Sequence, residues 1–545
     1  MLLLPIGGLG EIGRNCLLVE QGPDALIVDC GVQFPGPEVH GADLILPDFR
    51  PLRARKHKLR AILVTHGHED HLGAVPYLLR ELRLPVYASP LTLRLLRHKL
   101  DELEMDAELH PLIPRTPVQI GGFRVEPLRV THSIPDSLAF AIQTDGGTLF
   151  HSGDFKIDQL PVDGEVTDLA RFAELGERGI ACLLSDSTNA GRDGKCPGEL
   201  TVAPALRDIL FAAPGRVVVA MFASNLHRMQ QVLGICAEVG RRVALNGRSL
   251  QQNVELATEL HRLKVPPGIL VNHDTARGLK PRELCILSTG AQGEPRSGLS
   301  RLARGEHGSL FLEAGDQVVF SASLIPGNEL TVHAVVNQFA RQHIECFQES
   351  DRLVHVSGHG YREDQRLLLR LLKPKAFIAV HGEPRHLAHH RVLALECGVP
   401  ADRVLEVYDG DWVEVSDNGA RITGHEEVEL SYLDRNAGGS DVDPDVIRDR
   451  RILADSGLVT AIVQLDRTTG ALITTQIIAR GFSAADQRRY TPVALDALTL
   501  DLEAMPTALK QDGPAVEELV TKTLRRIAKR ELQRRPIVLP IVLRR

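Results

Sequence analysis

Aromatic side chains are scarce in this chain: one Trp, six Tyr and 15 Phe make up 4% of 545 residues. A protein that grips single-stranded nucleic acid by stacking many bases on rings is therefore not expected, and electrostatic tracking of a phosphate backbone is the better guess. Positive charge is not in excess either. The formal net charge of −7 excludes a globally basic coat and leaves room for a local basic channel. No apolar run approaches the roughly 18–20 residues that a membrane-crossing helix needs, so no membrane partner is expected. The opening MLLLPI is too short for a signal-peptide core and has no basic flank before it. The eight cysteines form no CxxC pair and no regular spacing. They read as reduced, mostly buried thiols of a cytoplasmic protein. The length exceeds what one compact core supports and points to roughly two to four domains.

What is present is a recurrence. Over the first 200 residues, short β-rich runs end in polar clusters: ALIVDCG (25–31), AILVTHG (61–67), FRVEPLRVTHS (123–133), GTLFHSGD (147–154) and IACLLSDST (180–188). Strands that deliver His, Asp or Ser at their C-terminal ends build a site along one sheet edge. From about 200 to 360 the texture is that of a second α/β region, with RVVVAMFAS, RRVALNG, ELCILSTGAQG and DQVVFSAS. The Gly-rich, polar DRNAGGSDVDPD (434–445) reads as a linker. A separate unit comes after it, with LVTAIVQLD, ALITTQIIAR, a helical pattern and RPIVLPIVL. In that helical pattern Val516, Leu519, Val520, Leu524 and Ile527 recur at helical spacing opposite a basic face. The final run carries Pro536 and Pro540, which confine it to a sheet edge or an interrupted pairing. The basic stretches 50–60 and 522–535 read first as solvated faces. Gly8, Gly10 and Gly13 form a literal GxGxxG, but a strand–turn–strand pattern stands where a dinucleotide fingerprint needs a helix. They read as a tight turn near the site.

The densest chemistry is HGHEDH at 66–71, directly after AILVT. His66, His68, Asp70 and His71 come from one turn. His132, Asp154 and His381 stand at other strand ends. Imidazoles with carboxylates suit zinc or manganese. Seven candidate ligands exceed one tetrahedral ion and suit two ions about 3.5–4 Å apart, bridged by a carboxylate. Asp29, which ends LIVD, can orient a ligand histidine from behind.

HGHEDHLGA with THS, SGD and a late HGE resembles the metallo-β-lactamase fold, an αββα sandwich with metals at its sheet edges. The long α/β region between Asp154 and His381 is similar to the insertion of the β-CASP nucleases. LLSDSTNA, VSGHG and VHGE resemble their motifs and place Asp186, His359 and His381. With ASLIPGNE (322–329) and the extra C-terminal unit, the chain resembles the bacterial ribonuclease J family. The resemblance implies an α/β chain with a metallo-β-lactamase domain at 1–199 and 362–430, an inserted β-CASP domain at 200–361, a linker at 431–448 and a C-terminal domain at 449–545. It gives His66, His68 and His132 to one divalent ion and Asp70, His71 and His381 to the other, with Asp154 bridging. Zinc is expected, with manganese as the alternative. His359 is the implied general acid, held by Asp186. Ser357, Gly358, His359 and Gly360 form a loop whose amides can hold a phosphate, with Ser323 and Asn328 as further substrate contacts. The implied activity is hydrolysis of single-stranded RNA, 5′→3′ exonucleolytic from a 5′-monophosphate as well as endonucleolytic. Implied too are RNA maturation and decay as the setting, a homodimer or higher oligomer, and a place in an RNA-degradation complex. A DNA nuclease of the same branch, a small-molecule metallohydrolase and a non-catalytic RNA-binding subunit are the alternatives.

Overall fold

The computed structural model describes every residue of the chain except 37, 38, 326 and 435–439. The chain divides into two units, residues 1–33 with 46–430 and residues 34–45 with 431–545.

The first unit is built on two facing sheets. In spatial order, the eight-stranded sheet runs Gly419–His425, Asp411–Ser416, Leu2–Gly7, Cys16–Gln21, Asp24–Val28, Leu59–Leu63, Val86–Ala88 and Leu109–Pro111. The seven-stranded sheet runs Val404–Leu405, Phe377–Val380, Cys182–Asp186, Gly147–His151, Leu138–Thr144, Phe123–Arg129 and Val118–Ile120. Leu3, Val19, Leu26 and Leu63 of the first meet Phe140, Leu149, Leu184 and Ile378 of the second in one core. The alternate residues Ala141, Phe150, Leu183 and Phe377 face the other way, against Phe172, Leu368 and Leu393 of helices Leu169–Arg178, Arg362–Leu372 and Pro384–Glu396. A sheet covered on both faces needs apolar residues at odd and even positions alike. That is why these strands read as unbroken apolar runs. The helix Pro90–Glu102 packs on the Val86–Ala88 end of the first sheet. The layers are those of an αββα metallo-β-lactamase sandwich.

Between Cys182–Asp186 and Phe377–Val380, two neighbours in that sheet, the chain makes a long excursion. It forms a six-stranded, all-parallel sheet in the order Leu270–Val271, Arg242–Asn246, Leu284–Ser288, Val217–Ala220, Gln317–Phe320, Glu345–Phe347. Val217 and Val219 point into one core and Val218 and Ala220 into the other. Leu91 and Ile134 of the sandwich join the first of these cores. The inserted domain therefore sits on the sandwich through continuous apolar packing.

In the second unit, strands Leu472–Arg480, Leu458–Leu465 and Ile537–Arg544 form a sheet in that order. Val459, Ala461 and Val463 bury against Tyr490 and Leu498 of Ala484–Ala504 and against Val520 and Leu524 of Gly513–Leu532. The predicted apolar stripe of that last helix is thus its core face. Pro540 stands on an edge strand, where its missing N–H costs no ladder bond. Residues 435–439, at the heart of the expected linker, lie outside the described residues. Strands Ser431–Asp434 and Ser440–Val442 flank them, and helix Pro444–Ser456 runs across the expected boundary at 448.

Gly8, Gly10 and Gly13 all have positive φ, and the element after them is the strand Cys16–Gln21. The helix that a dinucleotide fingerprint requires is not there. Among the described residues no helix is long and apolar enough to cross a membrane.

Candidate metal centre

Strand Leu59–Leu63 is buried over most of its length and delivers the chain to Thr65 and His66. A one-turn helix, Glu69–Leu72, begins after His68 and turns Asp70 and His71 back across the strand end. Main-chain bonds hold this turn: Asn15 N–H donates to Asp70 O at 3.0 Å, Cys30 N–H to His71 O at 2.8 Å and Val32 N–H to Glu69 O at 2.9 Å. A Cβ on Gly31 would lie 1.6 Å from the Asp70 carbonyl oxygen, so only glycine admits this approach.

The other side chains come from strand ends of the second sheet, and all face Asp154. His66, His71, His132 and His381 place their Nε2 atoms 3.7, 3.3, 3.8 and 3.5 Å from Asp154 Oδ2. His66 Nε2 and His132 Nε2 also lie 3.0 and 3.2 Å from His68 Nδ1. Asp70 Oδ2 is 3.6 Å from His71 Nε2 and 3.8 Å from His381 Nε2. Three groups of ligand atoms result, His66–His68–His132, Asp70–His71–Asp154–His381 and Asp154–Asp186–His359–His381, the atoms within each lying within 4.8 Å of one another. His359 Nδ1 approaches Asp186 Oδ2 at 2.8 Å and Asp154 Oδ2 at 3.9 Å. Asp186 also accepts from Thr188 N–H and Oγ1.

Does this set fit cations? The far side of four imidazoles decides. His71 Nδ1 lies 2.7 Å from Asp29 Oδ2, His132 Nδ1 2.8 Å from Gly358 O, His381 Nδ1 3.0 Å from Asn15 Oδ1 and His66 Nδ1 3.0 Å from Thr65 Oγ1. An N–H donated outward at Nδ1 turns each Nε2 inward. Burial opposes charge on His71, yet Asp154, Asp70 and Asp29 raise it well above the usual imidazole range, so its Nε2 carries a proton that a cation would displace. Burial and then the neighbouring imidazoles hold His66 and His132 neutral, well below the usual imidazole range. Burial takes His68 down to about 4 against the pull of Asp70. Burial opposes the charge on Asp154, yet His381 and His71 hold its carboxyl well below the usual range. Imidazole nitrogens turned inward around an ionised carboxylate, in a largely buried pocket, are a donor set for divalent metal.

Behind the ligands, Asp29 stands where the sequence places it. Two residues escaped the sequence reading. Thr65 Oγ1 bonds both Asp29 oxygens and reaches His66. Asn15 ties Asp70 O to His381. The signal for Asn15 was its place directly after the glycine turn, whose Gly8 carbonyl accepts the His381 N–H.

The loop 357–360 departs from expectation. His359 N–H is taken by Ser357 Oγ at 3.1 Å and Gly360 N–H by Phe155 O at 2.6 Å. These two of the four loop amides are committed inside the protein and are not open to a phosphate. The loop is instead a clamp that fixes His359 and, through Gly358 O, His132. Ser323 and Asn328 do not join the ligand cluster. Ser323 O accepts from Gln292 Nε2, and Asn328 Nδ2 donates to Gln292 Oε1.

Four family descriptions match the chain: a beta-lactamase superfamily domain over 25–191, a ribonuclease J beta-CASP domain over 214–339, a Zn-dependent metallo-hydrolase RNA specificity domain over 350–403 and a ribonuclease J C-terminal domain over 445–545. Ribonuclease J of Helicobacter pylori (strain 26695) is 40% identical over 475 residues, 86% of this chain and 69% of that one. Ribonuclease J 1 of Streptococcus pyogenes serotype M3 is 36% identical over 544 residues, 99% of this chain and 96% of that one. Ribonuclease J of Mycolicibacterium smegmatis is 39% identical over 541 residues, with 99% and 96% covered. A solved structure of a protein of unknown function from Enterococcus faecalis V583 shares the fold, with a TM-score of 0.55 and 15% identity over 76% of this chain and 99% of that one. Matched along nearly its whole length, the chain belongs to the ribonuclease J family and is a metal-dependent ribonuclease.

Proposed function

We propose that the enzyme hydrolyses RNA with two divalent ions, zinc in the first place, and that it degrades from a 5′-monophosphorylated end as well as cutting internally. The observation that carries the two-ion hydrolysis is the position of Asp154 Oδ2 between four imidazole Nε2 atoms, with the His359–Asp186 pair beside the same carboxylate; the action at a 5′-monophosphorylated end rests on the family resemblance. In our reading His66, His68 and His132 hold one ion, and Asp70, His71 and His381 the other, with Asp154 shared. Bound there, divalent ions supply Lewis-acid activation of a water and offset charge gathering on the phosphoryl oxygens.

The chain's own groups do the rest. Asp186 accepts from His359 Nδ1, fixes the ring and leaves Nε2 as the proton-bearing atom for the leaving oxygen. Burial works against charge on His359, but Asp186 and then Asp154 lift it to about 9. That suits an acid that must arrive protonated. Water adds to phosphorus, the P–O3′ bond breaks, and the His359 proton goes to O3′. The net change is one water divided between a 5′-phosphate and a 3′-hydroxyl.

The second unit supports assembly in this reading. Leu539 and Leu543, 50% and 48% exposed on an edge strand, are apolar surface that a second copy can cover, giving a homodimer. Such a dimer can in turn join a larger RNA-degradation complex.

The test is the product pattern on 5′-monophosphate and 5′-triphosphate RNA, after chelation and re-addition of zinc or manganese, for the native chain and His359→Ala. Mononucleotides released faster from the monophosphate, and a roughly 10²–10⁴-fold slower His359→Ala with unchanged metal content, are expected. Equal rates on both ends leave an endonuclease only. Metal lost from His359→Ala makes that residue a ligand.

A further inference from the structure

The chain leaves the sandwich near Cys196–Glu199 and returns near Val354–Ser357, and the two crossings touch. The Cys196 thiol donates to Ser357 O at 3.3 Å. Between them lies a fully buried guanidinium. Arg228, in the inserted-domain helix Leu226–Val239, donates Nε–H to Glu199 Oε1 at 2.6 Å on the outgoing crossing. Its Nη1 donates to Val354 O at 2.8 Å on the returning one and also meets Ser321 Oγ, which itself donates to Val354 O at 2.7 Å. Glu199 is anchored in turn to the sandwich, its N–H donating to Asp158 Oδ2 at 2.6 Å.

This network has two ends in the chemistry. Asp158 is four residues beyond Asp154, on the same loop. Val354 is five residues before His359, whose loop is pinned at its far side by the Gly360–Phe155 bond. Arg228 and Glu199 thus tie together the two backbone segments that carry Asp154 and His359, on the side opposite the direct Gly360–Phe155 bond. A buried ion pair adds little stability over apolar side chains of similar size. Its contribution here is geometric.

We propose that Glu199 and Arg228 are positioning residues through which the inserted domain sets His359 against the metal-ligand loop. This rests on the reading of His359 as the general acid. An acid placed an ångström away from its oxygen costs roughly 10- to 100-fold in rate. It costs nothing when the leaving group needs no proton.

The experiment compares a short RNA with the p-nitrophenyl ester of thymidine 5′-monophosphate, whose nitrophenolate leaves unprotonated. Full-length Glu199→Leu/Arg228→Met removes both buried charges together. His359→Ala is the reference. The expected result is RNA turnover lowered roughly 10- to 100-fold, with ester turnover within about twofold and metal content unchanged, the same selectivity that His359→Ala shows. Arg228→Lys keeps the charge but cannot span all three partners. It should show the same selectivity to a smaller degree, and it decides the matter if the double variant does not fold. Selective loss in His359→Ala with native ratios in both network variants overturns the positioning role alone. Equal loss on both substrates in His359→Ala overturns the general-acid reading and this inference with it.

Discussion

A carboxamide does for His381 what a carboxylate does for His71. Asn15 Oδ1 accepts from the Nδ1–H of His381 while its Nδ2–H donates to Asp70 O, so one side chain orients two members of the same ligand group. Removing such a partner typically costs 10–100-fold in metal affinity. Asn15→Leu should therefore lose metal to a competing chelator at correspondingly lower chelator concentration, with an unchanged far-ultraviolet spectrum; native affinity would refute the role. Asp409 carries a pH prediction. It accepts from Leu9 N–H at 3.2 Å and stands 3.5 Å from Arg14. Burial pushes its carboxyl up to about 7, with Arg14 pulling down and Glu11 pushing up. A folded-state value raised above the unfolded one gives stability that is present below the unfolded value and lost as pH rises through about 7. Asp409→Asn is free of that loss. Its Tm relative to the native chain should climb from pH 4 to pH 8, and a flat difference would contradict the burial argument.

At the scale of elements, the site depends on the residues just beyond each strand. Asp29 and His381 both adopt left-handed backbone, φ 59° and 53°, immediately after strands Asp24–Val28 and Phe377–Val380. Non-glycine residues rarely rest there, and the surrounding bonds hold them. Gly31 makes the tightest of these arrangements. Gly31→Ala should push the Glu69–Leu72 turn away and strip metal and turnover while the sheets persist. Gly234→Ala, in open space within a helix, should leave turnover native and gain a few tenths of a kcal/mol to about 1 kcal/mol in stability. Metal content equal in both variants would show that the close approach at Gly31 is not needed. The same strand ends explain what was legible in the sequence. Strands covered on both faces are largely apolar and must stop where a ligand begins, so HGHEDH, THS, SGD and VHGE stood out against their runs. The partners of the His359 and Gly360 amides did not, because nothing in VSGHG says that Ser357 and Phe155 have taken them. Glu199 and Arg228 were illegible for another reason. They lie 29 residues apart, in a 3-10 turn and a helix, and nothing repeats at that spacing.

At the scale of the molecule, the proposed homodimer gives the second unit a role that can be tested. A chain ending after Val442 lacks the exposed Leu539–Leu543 edge. It should sediment as a smaller species, keep a share of its turnover on short RNA and fall behind on long RNA, since two linked binding surfaces hold a long strand better than one. A truncated chain that stays dimeric and degrades long RNA normally would remove that role. The touching crossings have a different consequence. Cys196 and Ser357 stand 161 positions apart and are in contact, so the inserted domain departs from and returns to nearly one point of the sandwich. Ends that close are what make an insertion tolerable to its host. The inserted domain is in this sense a cassette, open to exchange among relatives of the same sandwich. A working exchange must carry more than the cassette, because the anion that answers Arg228 belongs to the doorway and not to the room.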